Sequence, residues 1–273
     1  MNMKQHMKQG WRLAIRHFYI VILLFLYQLL WGFFLYRFVN SVVIPLLKRY
    51  PDTVPVDNAV QLFMAESQFQ IMKTDLIHPY LWLLGGLFAA RMAITPLINA
   101  GLFYSLHHAK QEGGTLFFRG IGRAWKPVML LYWLEKLLAL APGCWLLPRL
   151  YDQLIGSGSA DRLLLQTVPL LAGWLLWAAL IHLLVLALQF GAVSGKKLPG
   201  TLWRSLRNFL PFVGISMLMW AITAGIGLLA STAAIFWAGL LALVLHQSYH
   251  LIRTLFKVWT LASQYDLWHS KQA

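Results

Sequence analysis

The stretch WLLWAALIHLLVLALQF, residues 174–190, carries no formal charge along its whole length. What such a segment folds into depends first on the solvent around it. Six stretches of similar character lie near 18–39, 79–106, 126–147, 163–190, 209–230 and 232–257. Each is close to or above the roughly 20 residues that an apolar helix needs to cross about 30 Å of hydrocarbon. The chain is 59% hydrophobic and 12% charged, with a mean hydropathy of +0.61. A water-soluble chain of this size needs far more charged surface, so the composition is that of a membrane protein. The first run is too long for a signal-peptide core and has no small-residue cleavage site, so it reads as the first span. Cys144 is the single cysteine, which excludes an intramolecular disulfide and a cysteine metal cluster.

The net charge of +14 has a direction. With a cytoplasmic N-terminus, segments 1–17, 107–126, 191–208 and the tail from 253 hold fifteen Lys and Arg against two acids, Glu112 and Asp266. The opposite loops, 37–78 and 148–162, hold six Lys and Arg against six acids. The positive-inside rule then places both termini in the cytoplasm, at an inner membrane. It also accounts for the high pI without nucleic acid, since a basic face beside a bilayer meets anionic lipid headgroups first.

Each odd-numbered span follows a basic lead-in. These are GWRLAIRHFY from Gly10, GTLFFRGIGRAWKP from Gly114 and GTLWRSLRNFLP from Gly200. The pairs Arg12/Arg16, Arg119/Arg123 and Arg204/Arg207 are spaced by three or four residues, which puts each pair on one helix face. Trp11, Phe118 and Trp203 sit among them. The pattern predicts short amphipathic elbow helices lying on the inner interface and facing lipid headgroups or a partner. Pro127 and Pro211 are expected to mark the bends into the membrane. The fold expected is therefore all-α: a polytopic bundle of six transmembrane helices in a single domain, 1–273. It forms three two-helix repeats (10–106, 114–190 and 200–257), with an outer insertion at 40–78. Within that insertion Leu62, Ala65, Phe69, Met72 and Leu76 recur at helical spacing. Residues 155–161 read as a flexible outer turn, and Gly225, Gly227, Ser231 and Thr232 suggest a tight turn between the last two spans.

Six spans, arginine-and-tryptophan elbows and a large first outer loop, with the motifs GRAWKP and LWRSLRNFLP, resemble a group of bacterial membrane proteins. The group includes the membrane domain attached to some glycerophosphodiester phosphodiesterases and related six-span proteins. The soluble phosphodiesterase barrel, rich in carboxylates and histidines, has no counterpart in this sequence. The resemblance therefore implies a bacterial membrane module with a lipid-related or accessory role, and not the enzymatic activity.

Ionisable side chains at membrane depth cost about 3 kcal/mol or more, so each needs a reason. Glu135, His182 and His246 fall some seven to nine residues from the inner ends of their spans. At about 1.5 Å per residue they share a plane roughly 10–14 Å from the inner interface. Arg91 is deeper and is expected to pair with Glu135, whereas Lys136 is expected to point away and reach the interface. One reading is interhelical hydrogen bonding for packing alone. The others are a proton or ion path, or metal ligation. No Walker loop, dinucleotide fingerprint, nucleophile elbow or zinc-protease helix occurs. No cofactor, metal or catalytic set is expected. The function expected is a multi-pass, transport-related or accessory subunit of a membrane complex. A stand-alone transporter or channel is the first alternative and a lipid-handling membrane enzyme the second.

Overall fold

The structure, a computed structural model, describes residues 3–43, 78–109, 115–156, 160–196, 198–236 and 240–271. Side chains at 42–43, 152–164, 166 and 233–248 lie outside that description, as does nearly all of the 40–78 insertion. Every regular element among the described residues is a helix. In chain order they are α1 (Met3–Arg16), α2 (Phe18–Phe38) ending in a π turn (Val39–Val43), α3 (His78–His107), α4 (Leu116–Leu140) and α5 (Gly143–Gly156). There follow α6 (Ala160–Val193), α7 (Leu198–Arg207), α8 (Phe209–Phe236) and α9 (Leu240–Ser270).

Five segments are long and apolar enough to cross a membrane: Phe18–Ser41, His78–His107, Leu116–Tyr151, Thr167–Val193 and Phe209–Thr232. Between 11% and 22% of the most apolar window of each is buried within the protein. Leu26, Phe33, Trp82, Leu130, Leu175, Leu210 and Trp220 are all exposed. Apolar exteriors on this scale, with the backbone bonded inside each helix, suit lipid as the surrounding solvent. The chain is a helical membrane protein.

The expected turn at 225–232 is not present. Helix α8 runs through it to Phe236. Ser231 Oγ donates to the Gly227 carbonyl at 2.7 Å and Thr232 Oγ1 to the Leu228 carbonyl at 3.0 Å. The hydroxyls satisfy themselves on the preceding turn, so they do not end the helix.

The elbows divide. Helices α1 and α7 are separate elements that stop at His17 and Asn208, each directly after the second arginine of its pair and directly before the Phe that opens the next helix. The second elbow departs from the expectation. Arg119 and Arg123 do not sit on a short helix of their own but on the first turns of α4, which runs on without a break into the span. Pro127 lies inside that helix and does not end it. Its missing N–H takes a donor from one carbonyl only, that of Arg123 four residues earlier, and a helix held by all its other bonds survives that loss. The side chains of Arg12, Arg16, Arg119, Arg123, Arg204 and Arg207 are all exposed.

The chain divides into two compact units. The first comprises Met1–Leu30, Pro96–Tyr132 and Leu183–Ala273. Its core holds Phe103, Phe117, Phe190, Ile215, Met219 and Val258. Within it His6, Gly10 and Ala14, four residues apart on one face of α1, are buried. Trp259 Nε1 of α9 donates to the Met7 carbonyl at 2.8 Å, and the Trp11 and Trp259 rings meet edge to face at 4.9 Å. A Cβ on Gly10 would overlap the side chain and backbone of Ser263, so only glycine allows α1 and α9 to come this close. Thr201 and Ser205 form the buried face of α7, with Thr201 against Gly191.

The second unit comprises Trp31–Thr95 and Trp133–His182. Here α4 ends at a turn over Ala141 and Pro142. Pro142 has no N–H, so the Leu138 carbonyl loses its helical donor. Trp177 Nε1 replaces it at 3.0 Å, and Trp174 Nε1 donates to the next carbonyl, Ala139, at 2.8 Å. Gly143 lies against the Trp174 ring, where a Cβ would stand 3.0 Å from it. Two indoles of α6 thus take the places of missing backbone donors, which lets the segment break without leaving bare carbonyls in hydrocarbon.

Candidate functional site

Glu135 stands about one helical turn before the carbonyls held by the two indoles. It is 4% exposed, at a depth where an unpaired carboxylate would be strongly disfavoured. Two groups meet it. Lys136 Nζ donates to Glu135 Oε1 at 3.1 Å, and His182 Nδ1 lies 3.1 Å from the same oxygen. An ionised carboxylate only accepts, so His182 faces it with Nδ1–H, as the δ tautomer or as imidazolium. The His182 side chain is 55% exposed. The pair is therefore lopsided, a buried acid whose partner stands at the protein surface. Together with the Trp177–Leu138 and Trp174–Ala139 bonds, it makes a ladder of cross-helix polar contacts between α4 and α6.

The other intramembrane residues fall differently. Arg91 is exposed and makes no ion pair among the described residues. Glu135 is met by Lys136 and His182 rather than by Arg91. Lys136 curls onto its neighbour instead of reaching away to the interface. The side chain of His246 lies outside the described residues. Glu135 and His182 are thus brought together, Arg91 is not part of that contact, and Lys136 joins it. A long flexible stem next to an acid can fold back onto it even when the two Cβ directions diverge, a possibility that helical spacing alone does not show.

Arg204 lines a pocket in the first unit. Arg119 and Arg123 stand exposed along the start of α4, so any headgroup or partner they meet approaches the end of a span and not a separate interfacial helix.

A second polar group, not foreseen from sequence, lies in the first unit. Tyr265 Oη and His107 Nδ1 are 2.7 Å apart, and Ser194 Oγ is 3.4 Å from the same nitrogen. Burial, reinforced by the Asp266 carboxylate, pushes the Tyr265 phenol up to about 12 against the weaker opposing effect of Ser194. Tyr265 therefore keeps its proton and donates it to His107 Nδ1. Ser194 Oγ donates to the Phe190 carbonyl at 2.8 Å. In that orientation its proton goes to the backbone, and the imidazole nitrogen beside it is already filled by tyrosine. A serine nucleophile needs the reverse arrangement, with a free histidine nitrogen receiving the hydroxyl proton. The cluster is a hydrogen-bonded clasp between segments 158 residues apart. Such separation is why a sequence pattern could not reveal it.

A third contact joins His6 Nδ1 to Asp266 Oδ2 at 2.7 Å. Among the described residues no three His, Cys, Asp or Glu side chains converge as a metal site would require. The chain matches no family model, no curated protein and no solved structure.

Proposed function

We propose that this chain is a six-span protein of a bacterial inner membrane, built from the repeats 10–106, 114–190 and 200–257 with both termini cytoplasmic. We propose further that it serves as an accessory, transport-related subunit of a membrane complex. The His6–Asp266 bond supports the span count. Residues 6 and 266 can touch only if the chain between them crosses the bilayer an even number of times. Five segments qualify as spans by themselves, and the apolar first half of α9 supplies the sixth. The basic elbows then share the cytoplasmic face. The likeness of these elbows to those of the membrane domain of glycerophosphodiester phosphodiesterases agrees with an accessory role.

One observation carries the functional reading: Arg91 and His182 are exposed within spans. A cation and an imidazole facing hydrocarbon are costly, and such groups ordinarily face protein or water. A second membrane protein covering this surface, with a carboxylate near Arg91 and a hydrogen-bonding group near His182, removes that cost. A stand-alone transporter would instead enclose these groups around its own midplane path. A lipid enzyme would need a nucleophile or acid–base pair, and Ser194 and His107 are committed elsewhere.

The test is purification at native abundance in a mild, uncharged detergent. The expected result is co-elution with another membrane protein, weakened but not abolished in an Arg91→Leu variant that keeps the wild-type melting temperature. Elution of the wild-type chain alone would contradict the reading.

A further inference from the structure

The first unit contains a small pocket open to its surroundings. It is formed by the end of α6, by α7, by the first turn of α8 and by the end of α9. Two cations line it, Arg204 and Lys271, and among the described residues no acid does. The acid nearest in sequence, Asp266, is bonded to His6. Two further lining groups are buried and lack any hydrogen-bond partner. These are Ser205 Oγ, in a residue 9% exposed, and Trp268 Nε1, in a residue 5% exposed. An indole N–H can only donate and a hydroxyl donates readily, so the two orphans ask for an acceptor. Lys196 Nζ, 5.4 Å from the centre of the Trp268 ring, adds to the positive potential. The remaining wall is apolar and includes Phe209, Pro211, Phe212 and Leu267.

We propose that this pocket binds the phosphate of an anionic phospholipid. Arg204 and Lys271 pair with the charge, and Trp268 Nε1–H and Ser205 Oγ–H donate to phosphate oxygens. Arginine suits phosphate because its planar fork gives two parallel hydrogen bonds. Free phosphate offers the same oxygens but leaves the apolar wall without an occupant, whereas the first carbons of a lipid's glycerol and acyl chains cover it. Leu210 and Trp203, exposed on α8 and α7, provide the lipid-facing surface along which a chain leaves the pocket. The inference deepens the membrane reading and rests on it only for which leaflet supplies the lipid.

The test uses the full chain in an uncharged detergent, with bound lipid counted by native mass spectrometry during titration with a phosphatidylglycerol. One tight site is expected. Arg204→Gln and Lys271→Gln should each weaken it about five-fold, the effect of one cation near an anionic headgroup. Ser205→Ala removes an unpaired lining hydroxyl without shrinking a core ring, so it should weaken binding several-fold with the lipid-free melting temperature unchanged. Arg12→Gln, on a different elbow, should leave the tight site intact. Equal binding by the wild type and the pocket variants would overturn the proposal, as would equally tight phosphatidylcholine. Inorganic phosphate that protects the protein as well as the lipid does would overturn the lipid as occupant. Topology is decided separately by impermeant thiol labelling of intact cells. In a Cys144→Ser background, Ser157→Cys should label from outside, whereas Lys196→Cys should not. The reversed pattern would overturn the cytoplasmic placement while the titration still decided the pocket.

Discussion

His6 Nδ1 and Asp266 Oδ2, 260 residues apart in sequence, lie 2.7 Å apart, with the histidine 1% exposed. Gln9, in the amide orientation that points its nitrogen at the acid, adds contacts of 2.6 and 2.9 Å to the same carboxylate. The two ends of the chain are thereby held together. Hydrogen bonds involving charged groups contribute about 1.5–3 kcal/mol. A double-mutant cycle of His6→Ala and Asp266→Ala, read from thermal unfolding in detergent, should show a coupling of that order. Strict additivity would mean the contact contributes nothing.

The indole of Trp177 is predicted to stand in for the N–H that Pro142 lacks. Trp177→Phe should cost about 1 kcal/mol, the usual net value of a hydrogen bond. Pro142→Ala restores a donor to residue 142, which can then reach the Leu138 carbonyl. In that background Trp177→Phe should cost markedly less. An unchanged cost, measured by the same melts, would show that the indole serves packing alone.

For the buried acid, Glu135→Leu should destabilise the protein by about 1–3 kcal/mol, because Lys136 and His182 lose their common acceptor. Arg91→Leu should leave the isolated chain's melting temperature within a degree or so. The double variant should be additive, as expected for groups without a shared partner. Recovery of stability in the double variant would place Arg91 against Glu135 after all.

His17 sits at the break between α1 and α2, buried, with its Nε2 lacking a partner. Burial first, and Arg16 beside it second, hold its imidazole below the ordinary histidine range. As pH falls through about 6.5 the unfolded chain takes up this proton before the folded one does. The stability tied to neutral His17 is thus complete above that pH and declines as acidification proceeds toward the folded value. His17→Leu should raise the melting temperature more at pH 5.5 than at pH 8. An equal change at both would exclude this titration.

The spans and two of the three elbows were legible because hydrophobic runs and basic flanks are local signals. Of the six predicted stretches, the last, 232–257, is not among the five segments that qualify as spans; four of the others coincide with spans to within a few residues, and the third overlaps a longer one. That one extends from Leu116 to Tyr151, takes Arg119 and Arg123 into its own first turns, and is interrupted at Pro142. Pro127 and Pro142 look alike in sequence, yet only the second breaks the helix. The effect of Pro142 depends on Trp174 and Trp177, more than thirty residues away, and no local pattern carries that information. The expected turn at 225–232 failed for the complementary reason. Small hydroxylated residues suit a turn, but they suit a lipid-embedded helix equally well once they bond back to the preceding carbonyls. At the candidate site, the meeting of Glu135 with His182 followed a depth argument, while the choice between Arg91 and Lys136 as cation depended on side-chain direction. The clasp of His107, Ser194 and Tyr265 and the His6–Asp266 bond join distant segments of the chain and left no trace in its periodicity.

The account turns on whether a protein covers the surface around His182. A photoreactive amino acid placed at 182, in native membranes at native abundance, tests this most directly. Position 176, exposed on the same helix but roughly 120° around its axis, serves as the control. The account predicts a discrete adduct with another membrane protein from position 182 and from position 91, and lipid adducts alone from position 176. Lipid adducts alone from all three positions would contradict it.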